Sequence, residues 1–291
     1  MKNKCKTIII LVLILCLVVV SVIFVAPLIK KSAFKEMLSG GTIYWVETEG
    51  YSEEQKKKVV SCQNLETPKT IITGEKDIHS FYISNQAEVA KICTESADNA
   101  VYVKTSDENN EPVTVSETGI VKEDNYYYVE TNNNKHSVLK VNLRTNENEV
   151  IFETDKEIFL LATQSERLYL KNGSQYLYFD NSEIKTVPEN KIIGSLIAAN
   201  DDSVAFYYNK KINLYNATDF DLISSTDVDE QPNHAVLSPN SDKLLYCMID
   251  DKDYFAGNTD RFFIYKVVRL LDGKYVTYKD DRKIDGFVDW K

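Results

Sequence analysis

The chain has 291 residues, with 34 Lys and Arg against 44 Asp and Glu and a formal net charge of −10. Six of the lysines fall at or before Lys35, so the remainder holds 28 basic residues (34 less those six) against all 44 acidic ones, a charge of about −16 by difference. Such a surface repels nucleic acid and anionic headgroups and excludes nucleic-acid binding.

Residues 1–6 form a short basic tail with Lys2, Lys4 and Lys6, and residues 7–29 are an apolar run from Thr7 to Ile29. As a helix the run is roughly 34 Å long at 1.5 Å per residue, enough to cross a hydrocarbon core of roughly 30 Å with some tilt. It predicts one transmembrane helix acting as a signal anchor. A cleaved signal would have a shorter apolar stretch and small residues at the cut; the best position, after Ala26, has Phe24 at minus three and is followed by Pro27. Cys16 as a lipid-bearing cysteine would need a small residue before it, where Leu15 stands. Lysines flank both ends, Lys30, Lys31 and Lys35 on the far side, and the free amino terminus tips the positive balance to the near side. The tail is therefore expected inside and the long domain outside, as a single-pass cell-membrane protein with an extracytoplasmic C-terminal domain. Residues 30–41 read as a linker or helix extension ending at Gly40-Gly41.

Residues 42–291 are rich in Tyr, with 18 in the chain, and poor in Gly and Pro, with 10 and 6. With Val, Ile, Phe and Thr, that composition suits pleated strands and predicts an all-β domain. Apolar runs recur in groups of four between polar turns. A first, incomplete group has Thr42–Glu47, Lys58–Cys62 and Thr70–Thr73, with Glu53 to Lys58 alternatively a short helix. The second has Ile78–Ser84, Val89–Thr94, Ala100–Thr105 and Pro112–Ser116. The third has Gly119–Lys122, Tyr126–Thr131, Ser137–Leu143 and Glu149–Phe152. The fourth has Glu157–Thr163, Arg167–Leu170, Gln175–Phe179 and Glu183–Val187, and the fifth has Lys191–Ala199, Ser203–Tyr208, Lys211–Tyr215 and Asp221–Thr226. The sixth has His234–Ser238, Lys243–Ile249, Arg261–Leu270 and Lys274–Tyr278, with an insertion from Asp250 to Asp260.

Group starts lie about 35 to 42 residues apart where no insertion intervenes, the period of propeller blades. A last strand, Ile284–Trp290, is left over and completes the first group. Closing a ring in this way removes the open sheet edges. The expectation is a β-propeller of six blades with four antiparallel strands each, five or seven being the alternatives.

The run His234-Ala235-Val236-Leu237-Ser238-Pro239-Asn240-Ser241-Asp242-Lys243-Leu244-Leu245-Tyr246 resembles the strand, S-P-D-G-K turn, strand signature of TolB-type and WD-like β-propeller repeats. Ile284-Asp285-Gly286-Phe287-Val288-Asp289-Trp290 resembles the innermost strand of another such repeat. The turn departs from the family pattern in lacking its glycine. The resemblance implies a rigid binding platform; some relatives are accessory domains of peptidases, but this chain leaves no room for a hydrolase domain after its closing strand.

Chemistry-bearing residues are sparse. Of five cysteines, Cys5 and Cys16 precede the domain, and Cys62, Cys93 and Cys247 read as small buried side chains, with one bridge between two of them as the alternative. His79, His136 and His234 have no His or Cys at ligand spacing, and H-E-x-x-H, C-x-x-C and G-x-S-x-G are all missing. His79 and His234 open inner strands and read as structural, while His136 reads as exposed. In Asp250–Asp260, counting from Asp251, Phe255 and Ala256 occupy positions where a calcium loop needs an oxygen donor and a glycine. Tyr126-Tyr127-Tyr128 and Tyr207-Tyr208 are expected to stack between blades, with an exposed aromatic patch as the alternative. No catalytic, cofactor-binding or metal-ligating residue is assigned. The leading functional reading is a non-enzymatic, membrane-tethered platform that docks a protein or peptide at the cell envelope. The alternatives are a hydrolase or lyase with paired acidic residues in the central mouth, and a structural subunit of a membrane complex.

Overall fold

The structure, a computed structural model, describes residues 26–49, 56–63, 67–74, 78–84, 90–95, 101–106, 111–115, 117–180, 183–249, 263–280 and 284–291. They form a helix, α1 (Ala26–Met37), and six four-stranded antiparallel sheets. Blade 1 opens with β1 (Ile43–Glu49), β2 (Lys56–Cys62) and β3 (Lys69–Gly74), and blade 2 is β4 (Ile78–Ile83), β5 (Ala90–Glu95), β6 (Val101–Thr105) and β7 (Val113–Val115). Blade 3 is β8 (Gly119–Lys122), β9 (Asn125–Asn132), β10 (Lys135–Asn142) and β11 (Asn148–Thr154). Blade 4 is β12 (Ile158–Leu161), β13 (Leu168–Asn172), β14 (Gln175–Asp180) and β15 (Glu183–Thr186). Blade 5 is β16 (Ser195–Ala199), β17 (Ser203–Tyr208), β18 (Lys211–Asn216) and β19 (Leu222–Asp227), and blade 6 is β20 (Asn233–Leu237), β21 (Lys243–Ile249), β22 (Phe263–Arg269) and β23 (Tyr275–Asp280). The last strand, β24 (Ile284–Trp290), completes blade 1 against β1, pairing Ile43 with Trp290, Tyr44 with Asp289 and Trp45 with Phe287. The chain is a six-bladed β-propeller closed by strands from both its ends.

Strands in the middle of a blade, such as β13 and β17, have both faces covered, and this explains their continuous apolar runs. Side chains alternate across a strand, so in Leu168-Tyr169-Leu170 the two leucines pack toward blade 3 while Tyr169 packs toward blade 5. In β1, Ile43 and Trp45 face blade 6 and Tyr44 faces blade 2. The described residues accordingly form six apolar clusters, one in each wedge between neighbouring blades. The tyrosine cluster follows the same rule: Tyr126 and Tyr128, rings 6.0 Å apart, fill the wedge toward blade 2, and Tyr127 turns toward blade 4. Tyr207 packs toward blade 6, whereas Tyr208 is exposed. Cys62, Cys93 and Cys247 are buried and unbridged, Cys93 Sγ lying 3.3 Å from the Tyr126 hydroxyl.

Turn chemistry fixes the registers. Asn133-Asn134 and Asn209-Lys210 take φ of 51° and 63°, and 47° and 59°, the left-handed pair that two-residue hairpins require. In the Ser238–Lys243 turn, Ser241 occupies the left-handed region at φ 58°, standing where the family pattern has glycine. Ser238 Oγ accepts from the Lys243 N–H at 3.0 Å and lies within bonding distance of Asn240 Oδ1 and Asp242 Oδ1, at 3.0 and 2.9 Å. Neighbouring turns clasp one another: Asn200 Nδ2 donates to Ser241 Oγ at 2.8 Å, and Ser165 Oγ donates to Asp201 Oδ1 at 3.0 Å.

One expected boundary changes. Lys56–Cys62 is strand, as expected, and the alternative helix over Glu53 to Lys58 does not extend over residues 56–58. The fifth group begins at Ser195 instead of Lys191, because the chain first turns on the Pro188 carbonyl, which accepts from both Lys191 and Ile192. Within residues 30–41, α1 runs to Met37, and Phe34 and Leu38 are buried in the wedge between blades 6 and 1, where the Phe34 ring stacks on Tyr278 at 5.2 Å. Among the described residues no helix is long and apolar enough to cross a membrane. Residues 7–25 of the apolar run and the Asp250–Asp260 insertion lie outside the described residues, and Leu28 and Ile29 at the start of α1 are exposed.

Candidate functional site in the central channel

The six innermost strands, β24, β4, β8, β12, β16 and β20, surround the axis and enclose a cavity of about 340 Å³. β4, β8, β12, β16 and β20 each enter from one face and turn back into their blades at the other, where β24 also ends, so the beginnings of the inner strands form one mouth and their ends the opposite rim. His79 and His234 lie near the first mouth, along with Lys57 of β2. Lys122, Thr163, Gln164, Asp289 and Lys291 lie at the rim end.

Gln164 makes a floor there. Its Nε2 donates to Leu237 O at 2.9 Å and its Oε1 accepts from the Leu237 N–H at 2.6 Å, tying blade 4 to blade 6. The same Nε2 reaches Asp289 Oδ1 at 3.3 Å, on the blade that stands opposite in a ring of six. Asp289 also accepts from the Trp290 N–H at 2.8 Å and pairs with Lys291 Nζ at 3.4 Å. Burial pushes the Asp289 carboxyl above its ordinary range, more than Lys291, Gln164 and the Trp290 amide draw it down. Lys291 Nζ in turn donates to Ile83 O at 2.6 Å and sits 5.4 Å from the Tyr82 ring centre. The Tyr82 hydroxyl is pushed up to about 12 by burial and by the negative charges of Glu123, Glu166, Asp289 and Asp124.

Lys122 ends β8 and points its ammonium into this rim. Nζ donates to Ser165 O and to Thr163 O, the latter at 3.3 Å, and the residue is 6 % exposed. Burial lowers its pKa from 10.5 to about 8, against the attraction of Asp201, Asp289 and Glu166.

Among the described residues Asp289 is the one carboxylate that lines the cavity, against Lys57, Lys122 and Lys291. The paired carboxylates on which acid–base hydrolysis would rest are not brought together there. No group of three or more His, Cys, Asp or Glu able to hold a metal ion occurs among the described residues. His79 and His234 line the mouth and are exposed. His136 is partly exposed, its Nδ1 2.9 Å from Thr131 Oγ1 on the neighbouring strand β9. Lys122, Gln164 and Asp289 were missed in the sequence; the available signal was position, since each ends or follows an inner strand.

No family profile and no curated protein matches the sequence. Among solved structures, TolB from Acinetobacter baumannii is similar with a TM-score of 0.57 and 13% identity, over 87% of this chain and 67% of that one. A chain of a nidogen/laminin complex covers 64% of this chain and 93% of its own length at 8% identity, with a TM-score of 0.40. A chain from a study of two prolyl endopeptidases covers 89% of this chain and 43% of its own length at 11% identity, with a TM-score of 0.44. The last two scores are too low to argue from, and the first speaks for architecture alone: this chain shares the β-propeller fold of TolB.

Proposed function

We propose that this protein is a non-enzymatic platform that docks a protein or peptide partner at the cell envelope, held to the membrane by the apolar run from Thr7 to Ile29 with its propeller on the outer side. The observation that carries the docking role is the rigid ring, in which six interlocked wedges and clasped rim turns fix a central cavity in place. Preorganised walls of this kind favour binding because little ordering is left to be done on association. The tether is supported by the length and apolarity of the N-terminal run, and the outward placement by its flanking lysines and free amino terminus. A hydrolase reading needs two converging acids, and the cavity lining has Asp289 alone among the described residues.

Crosslinking the full-length chain in native membranes, followed by mass spectrometry, tests the platform. Recovery of a specific protein partner is the expected result, and capture of none would overturn it. A reporter enzyme fused after Lys291 tests the orientation; activity confined to the cytosol would overturn the exported placement.

A further inference from the structure

The central cavity contains a positive charge that no carboxylate of the described chain meets. Lys122 Nζ has three N–H donors, and its protein partners are two neutral carbonyls, Ser165 O and Thr163 O. Asp201, Asp289 and Glu166 attract it from a distance, and Lys291 repels it. Asp289 is already engaged by Lys291, Gln164 and the Trp290 amide. A buried ammonium without a counter-charge is expensive, and an anion that shares its third donor would offset much of that cost.

A second feature lies in the same wall. Thr163 Oγ1 is buried and no protein group bonds it. Buried hydroxyls are ordinarily satisfied, and this one belongs to the residue whose carbonyl accepts from Lys122 Nζ, which leaves a second unfilled donor in the same wall. Three lysines, Lys57, Lys122 and Lys291, line the cavity with Asp289, and Asp201 and Glu166 stand farther off. About 340 Å³ holds roughly eleven waters at about 30 Å³ each, room for one small acid or one acidic side chain but for no folded element. A single buried ammonium, with no arginine in the lining, matches a monoanionic carboxylate better than a phosphate dianion.

We infer that the central cavity is a carboxylate-binding site, with Lys122 Nζ as the charged donor and the Thr163 hydroxyl as the neutral one. The carboxylate comes either from a free organic acid or from an acidic residue of a bound peptide. The second source deepens the platform reading by naming what the partner presents, and to that extent rests on it.

The test is calorimetric titration of the full-length chain at pH 7 with butyrate, with a capped Gly-Gly-Glu-Gly-Gly peptide, with its Gln counterpart and with inorganic phosphate. Butyrate or the Glu peptide binds, the Gln peptide does not, and whichever binds identifies the source. Lys122→Met weakens binding at least about tenfold, Lys122→Arg retains most of it, and Thr163→Val, a milder change that keeps the fold, weakens it several-fold. Raising the pH to 9.5 weakens binding about tenfold or more, as the Lys122 amine loses its proton amid Asp201, Asp289, Glu166 and Lys291. Equal binding by Lys122→Met, phosphate binding as tight as the carboxylates, or no binding by either carboxylate would each overturn the inference. Capture of a protein partner by Lys122→Met at the wild-type level would overturn the peptide source and leave the platform standing. Carboxylate binding with no captured partner would do the reverse.

Discussion

Replacing Lys122 with Met removes a buried ammonium and keeps an unbranched side chain of similar reach, which turns the electrostatics of the cavity into a measurable pH dependence. In the folded chain burial lowers the Lys122 pKa from 10.5 to about 8. Below about pH 8 the amine is charged in folded and unfolded chains alike, and the folded state carries the full penalty of burying it. Between about 8 and 10.5 the folded protein has released the proton while the unfolded chain still holds it, so stability rises with pH. A window of about 2.5 units at 1.36 kcal/mol each makes the relief about 3 kcal/mol. The bonds to Ser165 O and Thr163 O are lost in the variant at every pH, so they offset the two curves without tilting them. Urea denaturation of both proteins at half-unit steps from pH 7 to 10.5 reads the difference, in which most other titrations cancel. The wild type gains about 3 kcal/mol on the variant across the window. A difference that stays flat refutes the buried, charged lysine.

Three further outcomes follow from the packing. Trp290→Ala empties a fully buried position in the wedge between blades 6 and 1 and lowers stability by about 3 to 5 kcal/mol in a denaturant titration. Gly119→Ala brings a Cβ against the Tyr127 carbonyl and the Tyr126 ring, where the backbone cannot yield, and lowers the thermal midpoint by the equivalent of about 1 to 3 kcal/mol. Gln164→Ala leaves the Leu237 N–H and C=O without their shared partner and costs about 1 to 3 kcal/mol; an unchanged midpoint would show that the floor of the channel is not structural.

The blades were legible in the sequence because two physical signals coincide in them. Runs such as Val204-Ala205-Phe206 are apolar on both faces, and they are separated by polar turns in which Asn and Gly take most of the left-handed positions. Closure was legible for a different reason: Ile284–Trp290 had no partner among its neighbours while the first group lacked a strand. The beginning of β16 was obscured because Ile192 is apolar but packs from a turn, not from the sheet. The cavity was harder to see. Lys122 at the end of a four-residue strand looks like any solvated lysine, and Gln164 sits in an ordinary turn; only the convergence of six strand ends around one axis buries the first and makes the second a crosspiece. Periodicity reports which face of a strand is covered, but it does not report which strand ends share a rim.

The pairing of β1 with β24 also sets an order of events. Thr42 and Lys291 exchange backbone hydrogen bonds although they lie far apart in the sequence, so the first sheet is left one strand short until β24 has been made. Closing so long a loop is slow relative to forming the local hairpins of the other blades. A ribosome-bound or partly delivered chain would therefore hold five finished sheets and one unlatched one, its exposed edge open to a chaperone or to a second molecule until the tail swings in.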